Sequence, residues 1–108
     1  MICFRASITL GDSVLKWMPG NAAVAQAAAT YPVGLASGSP RRLIDAVTGH
    51  PDLAGKFKAI LSGDQVPKGK PAPVVYLAVA KALGVAPQNC VCLEDSGNGI
   101  LAGKNAGM

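Results

Sequence analysis

The sequence is poor in the residues from which covalent and aromatic frameworks are built. It has three cysteines, one histidine, one tryptophan, two tyrosines and two phenylalanines in 108 residues. The cysteines fit neither a disulfide framework nor the C-x-x-C spacing of a metal site, and Cys90 and Cys92 are predicted to be small buried residues on one face of a strand. His50 stands alone in a Gly-His-Pro loop and is expected at the surface. These counts exclude a disulfide scaffold and favour a reduced, cytoplasmic setting.

Long apolar runs and dense basic patches are also absent. No run approaches the roughly 18 residues of a membrane helix, and Gln26 interrupts the alanine-rich stretch 22–29. The start of the chain lacks a charged segment followed by an apolar one, so no signal peptide is predicted. The net charge is +4, yet the basic residues are scattered apart from Arg41-Arg42 and Lys68-Gly69-Lys70. Because nucleic-acid binding needs a denser basic face, we expect neither nucleic acid nor a membrane as a partner.

What the sequence does contain is an alternation of short apolar runs and helical patterns. Half of its residues are hydrophobic, so the chain can bury a core. Apolar runs predict strands at 33–36, 57–61 and 90–93. Helical patterns alternate with those strands, at 22–30, 41–48, 74–83 and from about 99 to the chain end. Asn21 and Ser39 are the predicted N-caps of the first two helices, and Gly84 is the predicted C-cap of the third. Strands that alternate with helices predict an α/β fold, a Rossmann-like parallel sheet with flanking helices.

Polar side chains cluster beside these elements at three places: Ser37-Gly38-Ser39, Lys70-Pro71 and Glu94-Asp95. Hydroxyls and backbone amides at a helix N-terminus bind phosphate oxygens, and a lysine neutralises charge on a phosphoryl group. Adjacent carboxylates at the carboxyl end of a strand suit Mg²⁺, which prefers carboxylate oxygen and water. The three clusters together predict most of a phosphoryl-transfer site for a small phosphorylated metabolite, with Mg²⁺ as its cofactor.

Each cluster also has a simpler structural interpretation. Ser37 can serve as a turn or capping serine. Lys70 can be a solvated loop residue, and the neighbouring Lys68 competes with it for the site. Glu94 and Asp95 can be an acid pair that the dipole of the following helix stabilises.

Two nucleotide-binding motifs are rejected. Residues 97–102 match the pattern G-x-G-x-x-A, but Glu94 and Asp95 just before them would repel a pyrophosphate, and the ribose-binding acid expected about 20 residues later has no counterpart. Segments 49–56 and 63–70 have five residues between their glycines, where a P-loop has four, and neither continues with serine or threonine.

The three clusters, in this order along the chain, resemble motifs II, III and IV of the haloacid dehalogenase superfamily. The residues concerned are Gly34–Ser39, Gly69–Pro73 with Tyr76 following, and Leu93–Ile100. They are most similar to the subgroup of β-phosphoglucomutase and sugar-phosphate phosphatases such as 2-deoxyglucose-6-phosphatase. The resemblance implies a partial Rossmann-like core at 19–108, preceded at 1–18 by the last helix of a helical cap, with Pro19-Gly20 as the hinge.

The resemblance also implies roles for individual residues. Ser37 and the amide of Gly38 would bind the transferring phosphoryl group, and Lys70 would bridge that group and the nucleophile. Ser37 and Lys70 are thus the expected catalytic residues. Asp95 would bind Mg²⁺, with Glu94 as its partner by direct coordination or through water.

The family's Asp-x-Asp motif, which holds the nucleophile, has no counterpart in this sequence. Its nearest imitation is 8–13, where Asp12 lacks a second aspartate at position 14. The chain also stops at Met108, where the family normally enters another strand. We expect the complete protein to hydrolyse a sugar phosphate through an aspartyl-phosphate, and this chain alone to be inactive. The alternative is a non-catalytic remnant or binding module that keeps the phosphate and Mg²⁺ pocket.

Overall fold

The structure, a computed structural model, describes residues 2–4 and 19–108, in which strands and helices alternate. The strands are β1 (Ile2–Phe4), β2 (Gly34–Ser37), β3 (Ala59–Ser62) and β4 (Val91–Cys92). The helices are α1 (Pro19–Thr30), α2 (Arg41–Thr48), α3 (Val74–Leu83) and α4 (Gly97–Asn105), and short 3₁₀ turns lie at Gly63–Gln65 and Pro87–Asn89.

The described strands form one parallel sheet in the order β3-β2-β1-β4. In its register Cys3 of β1 pairs with Gly34 on one side and with Cys92 on the other. Ser37 at the end of β2 pairs with Ser62 at the end of β3. The predicted α/β class is confirmed, and because all strands run in the same direction, their carboxyl ends meet at one edge of the sheet.

The first segment of the chain differs from its predicted structure. Residues 1–18 are assigned by the sequence to a helix of a cap, but Ile2–Phe4 form strand β1 between β2 and β4. The helical prediction is wrong for these three residues because an apolar Ile-Cys-Phe triplet gains more from pairing with two strands than from a short helix. Residues 5–18, which include Asp12, lie outside the described residues, and their assignment to a cap stays a prediction.

Helix α1 begins earlier than the sequence predicts. It starts at Pro19, whereas the prediction places the first helical residue at Ala22 and the cap at Asn21. Proline suits a first helical position because its missing N–H has no partner there in any helix. Pro19 and Gly20 therefore lie in the first turn of α1, and their role as a hinge stays a prediction.

The other boundaries lie within a few residues of those predicted. Helices α2 and α3 have the predicted limits. Gly84 ends α3 in the left-handed conformation, with φ of 69°, and its N–H is bonded to the carbonyls of Ala80 and Lys81, as expected for a C-cap. Helix α4 begins at Gly97, two residues before the predicted start, because the Ser96 hydroxyl caps it by accepting the N–H of Gly99.

His50, predicted at the surface, is only partly exposed. Its side chain is only 11% exposed, because the turn after α2 folds back and the N–H of Leu53 bonds to the His50 carbonyl at 2.9 Å. Cys90 is buried as predicted, and Cys92 is half-buried.

Two apolar clusters stabilise the layers of the fold. The larger cluster draws on β2, α3, the residue before β4 and the end of the chain from α4 onward. It includes Tyr76, the largest fully buried side chain among the described residues. Its buried members are Ala36, Val75, Tyr76, Val79, Ala80, Cys90, Ala102 and Ala106. The smaller cluster contains Val24, Val47 and Leu53, with Phe57 packed against it. None of the helices in the described ranges combines the length and the hydropathy needed to cross a bilayer.

Replacing Gly34 by alanine is expected to destabilise the fold by about 1–3 kcal/mol, as overpacking of a core usually does. Helix α3 lies so close to β2 that a Cβ at position 34 would be 2.3 Å from Cγ1 of Val79 and 2.9 Å from Cδ1 of Leu83. Urea denaturation measures the change. Gly69→Ala is the matched control, since a Cβ there meets nothing within 4 Å, and an equal effect of both substitutions would contradict this account of the packing.

Candidate active site

The loop after β2 carries the first predicted cluster. Ser37 is 1% exposed, and its Oγ accepts the N–H of Ser39 at 3.2 Å, which fixes the turn of the loop. Helix α2 follows with Pro40 as its N-cap residue and without a side-chain cap of its own. The predicted cap at Ser39 is therefore wrong, because α2 begins at Arg41 and the cap position falls to Pro40, which has no side-chain acceptor.

A residue of the neighbouring loop accepts a backbone hydrogen bond from the first residue of α2. The Asp64 carboxylate, which follows β3, accepts the N–H of Arg41 through Oδ2 at 3.4 Å. The hydroxyl of Ser62, a completely buried residue, donates to the other oxygen, Oδ1. Asp64 thus supplies the acceptor that a helix N-terminus needs, from 23 residues away along the chain.

Two further contacts hold the loops after β2 and β3 together. The Ser62 N–H donates to Oε1 of Gln65 at 2.9 Å, and the two residues form a reciprocal capping box. Gly63 lies against Gly38, since a Cβ on Gly63 would be 3.2 Å from the Gly38 Cα. The pattern Ser-x-x-Gln is a capping-box signature that could have identified this turn from the sequence.

The other two predicted clusters meet in a buried ion pair. Nζ of Lys70 donates to Oε2 of Glu94 at 2.5 Å, with the side chains 12% and 1% exposed. The hydroxyl of Tyr76 donates to the same oxygen at 2.6 Å. The Lys70 ammonium also lies 4.8 Å from the centre of the Tyr76 ring, within the range of a cation–π contact.

Hydrogen bonds set the protonation states of Glu94 and Tyr76. Burial alone would raise the pKa of Glu94, but the hydrogen bonds from Lys70 and Tyr76 and the Lys70 charge outweigh burial and lower that pKa to about 2. Burial, reinforced by the bond to the carboxylate, raises the pKa of Tyr76 far above its usual range. At neutral pH Glu94 is therefore a carboxylate and Tyr76 a neutral donor.

Glycine at position 99 makes room for Glu94. The Glu94 side chain crosses the first turn of α4 where a Cβ on Gly99 would lie 2.0 Å from its Cγ, Cδ and Oε2. Only a residue without a side chain allows this passage, so Gly99 contributes to the position of the ion pair.

A cavity of about 660 Å³ opens in front of these groups. The described residues that line it are Gly38, Ser39, Lys70, Ser96, Gly97 and Asn98. They come from all three predicted clusters or their immediate neighbours. Ser37 is buried at the end of β2 and is not among the lining residues, and Asp95 is exposed beside Ser96.

Four lining residues have no site role of their own in the sequence prediction, although Ser39 belongs to the first predicted cluster: Ser39, Ser96, Gly97 and Asn98. Ser39 is assigned there to a helix cap, and the other three are given no role. Their positions at the starts of α2 and α4 are the signal that could have identified them, because polar side chains and amides at helix N-termini favour anions.

The predicted Mg²⁺ site fits the described residues in part. Mg²⁺ keeps several waters and is often held by one or two carboxylates together with substrate phosphates. The exposed Asp95 offers one such carboxylate. Glu94 is turned toward Lys70 and Tyr76, and its Oε1 accepts the Asp95 N–H at 3.1 Å, so its role as a ligand stays a prediction. Among the residues that the structure describes, no three His, Cys, Asp or Glu side chains gather into a metal-binding group.

The chain matches known proteins over most of its length. The family model of haloacid dehalogenase-like hydrolases matches residues 6–107. Hexitol phosphatase B of Escherichia coli (strain K12) is 49% identical over 76 residues, which cover 70% of this chain and 34% of that protein. The chain therefore spans about a third of the length of this curated relative.

Two solved structures are similar in both fold and sequence. CbbY from Rhodobacter sphaeroides, solved in complex with phosphate, has a TM-score of 0.74 and 34% identity, over 83% of this chain and 42% of its own. β-Phosphoglucomutase from Clostridium difficile has a TM-score of 0.69 and 27% identity, over 89% of this chain and 46% of its own. The predicted family and its partial α/β core are confirmed.

Substituting alanine at position 99 is expected to displace the Glu94 side chain and to lower the free energy of unfolding by about 1–3 kcal/mol. Thermal denaturation followed by circular dichroism measures the loss. Gly97→Ala, in the same helical turn, has no atom within 4 Å of the added Cβ and should be neutral or slightly stabilising. The role assigned to Gly99 fails if the two variants unfold at the same temperature.

The lowered pKa of Glu94 predicts a loss of stability in acid. Because the folded-state pKa of about 2 lies below the ordinary 4.5, the carboxylate stabilises the fold above about pH 4.5, and this contribution is lost as the pH falls toward 2. Melting temperatures measured from pH 6 to pH 2 should fall for the native chain. Glu94→Gln should melt lower at pH 6 and lose less on acidification.

Asp52→Asn is the comparison variant, because it removes the same charge from an exposed carboxylate that lies 3.6 Å from Nδ1 of His50 and has no contact with Lys70. It should keep the acid dependence of the native chain. An acid dependence that survives unchanged in Glu94→Gln would contradict the assignment to Glu94.

Proposed function

The chain belongs to the haloacid dehalogenase-like hydrolases, and on this premise we propose that its cavity is the phosphate-binding part of a phosphatase or phosphomutase for sugar phosphates. The observation that carries the proposal is the placement of Lys70, whose ammonium is anchored on buried Glu94 at the wall of the cavity. The named relatives support the substrate class, since one is a hexitol phosphatase and another a β-phosphoglucomutase.

Two helix N-termini and one ammonium give the cavity its preference for an anion. Gly38 and Ser39 precede α2, and Ser96, Gly97 and Asn98 stand at the start of α4. Each N-terminus presents backbone N–H groups and the positive end of a helix dipole. We propose that the amide of Gly38 holds a phosphoryl oxygen, while the buried Ser37 hydroxyl, which accepts the Ser39 N–H, keeps the loop in shape.

Lys70 would neutralise the negative charge on the phosphoryl oxygens as the phosphoryl group is transferred. Its bond to Glu94 holds the ammonium in place before the substrate arrives, so that little reorganisation is needed during the reaction. Asp95 would hold Mg²⁺ together with water and the phosphate, and the bound ion would supply further charge neutralisation. Where a protein of this family supplies the nucleophilic aspartate, its carboxylate would attack phosphorus while the P–O bond to the sugar breaks and the sugar hydroxyl leaves. Water would then hydrolyse the aspartyl-phosphate to aspartate and inorganic phosphate.

A non-catalytic binding module is the second candidate. The observation that favours it is that no two aspartates in this sequence have the spacing Asp-x-Asp. Such a module would bind phosphate through the same residues without turning it over.

Isothermal titration calorimetry with inorganic phosphate, in the presence of MgCl₂, tests phosphate binding by the full chain. Lys70→Ala should weaken the affinity by about 10- to 100-fold, the usual effect of removing a hydrogen bond to a charged group. Lys68→Ala is the matched control, because it removes the same charge from an exposed position two residues away and should bind like the native chain. A native chain that binds no phosphate, or equal losses in both variants, would contradict the proposal.

Turnover of p-nitrophenyl phosphate by the same samples separates the two candidate functions. We expect none above background from this chain alone. Turnover that needs Mg²⁺ and disappears in Asp12→Asn would overturn that expectation and make Asp12 the nucleophile.

A further inference from the structure

We propose that Tyr76 is a positioning residue for Lys70, because its hydroxyl holds the Glu94 oxygen to which the Lys70 ammonium is bound. The inference deepens the proposed function and rests on it for its consequence in phosphate binding. From the sequence, Tyr76 is noted only because it follows the lysine motif, and no role is predicted for it.

The geometry of the contact carries the inference. One oxygen, Oε2 of Glu94, accepts the Tyr76 hydroxyl at 2.6 Å and Nζ of Lys70 at 2.5 Å. The terminal torsion of a glutamate is broad, and the backbone holds only the other oxygen of this carboxylate, Oε1, through the Asp95 N–H at 3.1 Å. A second donor on Oε2 restricts that torsion. The position of Oε2, and with it the position of the ammonium, is therefore set by a group inside the core.

Packing alone does not account for a tyrosine at this position. Tyr76 is completely buried in the larger apolar cluster, where a phenylalanine would fill nearly the same volume. A buried hydroxyl costs free energy unless it is hydrogen-bonded. In this molecule the hydroxyl donates to Glu94 and also shares a hydrogen bond with the Cys92 thiol. Its short contact with the carboxylate ties it to the ion pair.

The ring of Tyr76 contributes separately from its hydroxyl. The Lys70 ammonium lies 4.8 Å from the ring centre, where the electrons of the ring attract a cation. Phenylalanine keeps this attraction and the packing. Tyr76→Phe therefore removes the hydrogen bond and leaves the other contacts of the ring in place.

The test compares Tyr76→Phe with Tyr31→Phe in the full chain. Tyr31 is 59% exposed and is the only other tyrosine, so its substitution is the matched control. Calorimetry with inorganic phosphate and MgCl₂ should show about 3- to 10-fold weaker binding for Tyr76→Phe, and native affinity for Tyr31→Phe.

A readout at the ammonium itself distinguishes positioning from a general loss of stability. In ¹⁵N-labelled protein the ammonium signal of Lys70, assigned by its loss in Lys70→Ala, should be sharp in the native chain because its protons are held by Glu94. It should broaden or shift in Tyr76→Phe and stay unchanged in Tyr31→Phe. The exposed Lys68 gives the reference signal in all samples.

A fluorinated sample keeps the inference testable if Tyr76→Phe does not fold. In the Tyr31→Phe background, 3-fluorotyrosine labels Tyr76 alone. Its ¹⁹F signal should move in Lys70→Ala, which releases one donor from the shared oxygen, and should not move in Lys68→Ala. Equal ¹⁹F signals in these two variants would overturn the inference.

Failure of the proposed function and failure of the inference about Tyr76 give different results. Absence of phosphate binding by the native chain overturns the proposed function, while the ammonium and fluorine signals still decide the role of Tyr76. Normal phosphate binding by Tyr76→Phe with an unchanged Lys70 signal overturns the inference and leaves the proposed function standing.

Discussion

Lys70 and Glu94 form an ion pair from which water is largely excluded. The shape of the cavity depends on this pair, because Lys70 lines the cavity. Removing an ion pair from water is costly, and the attraction offsets the cost only when geometry is good and further hydrogen bonds are made. Tyr76 supplies such a bond. The pair also joins the loop before α3 to the end of β4, and Asn105 of α4 adds a bond to the Pro71 carbonyl at 3.3 Å. Two of the three polar clusters are thereby held as one unit.

The third cluster is held by a different set of contacts. The loop after β2 rests on the loop after β3, where Gly63 approaches Gly38 and Asp64 receives the first N–H of α2. Both loops follow strands that are paired in register up to Ser37 and Ser62. The cavity therefore lies between one wall fixed by an ion pair and another fixed by backbone packing, and the parallel sheet sets the distance between them.

The sequence predicts the α/β fold class, the limits of α2 and α3 and the presence of Lys70 at the site. Each of these follows from local hydrophobic periodicity or from a short motif. It does not predict what depends on contacts between distant residues. The bond from Arg41 to Asp64 spans 23 residues and that from Tyr76 to Glu94 spans 18, so no local pattern contains either. Strand β1 is missed for the same reason, since three residues become a strand only through their neighbours in the sheet.

The absence of a side chain at Gly99 makes the residue allowed at position 99 depend on the residue at position 94, in this protein and in its relatives. A larger residue at 99 would fit only beside a shorter acid at 94, and an aspartate there would have to span the gap to Lys70 with one carbon fewer. Proteins built on this geometry can therefore change the two positions together far more easily than one at a time. Covariation of residues 94 and 99, rather than the constancy of either alone, is the evolutionary trace that such an ion pair would leave.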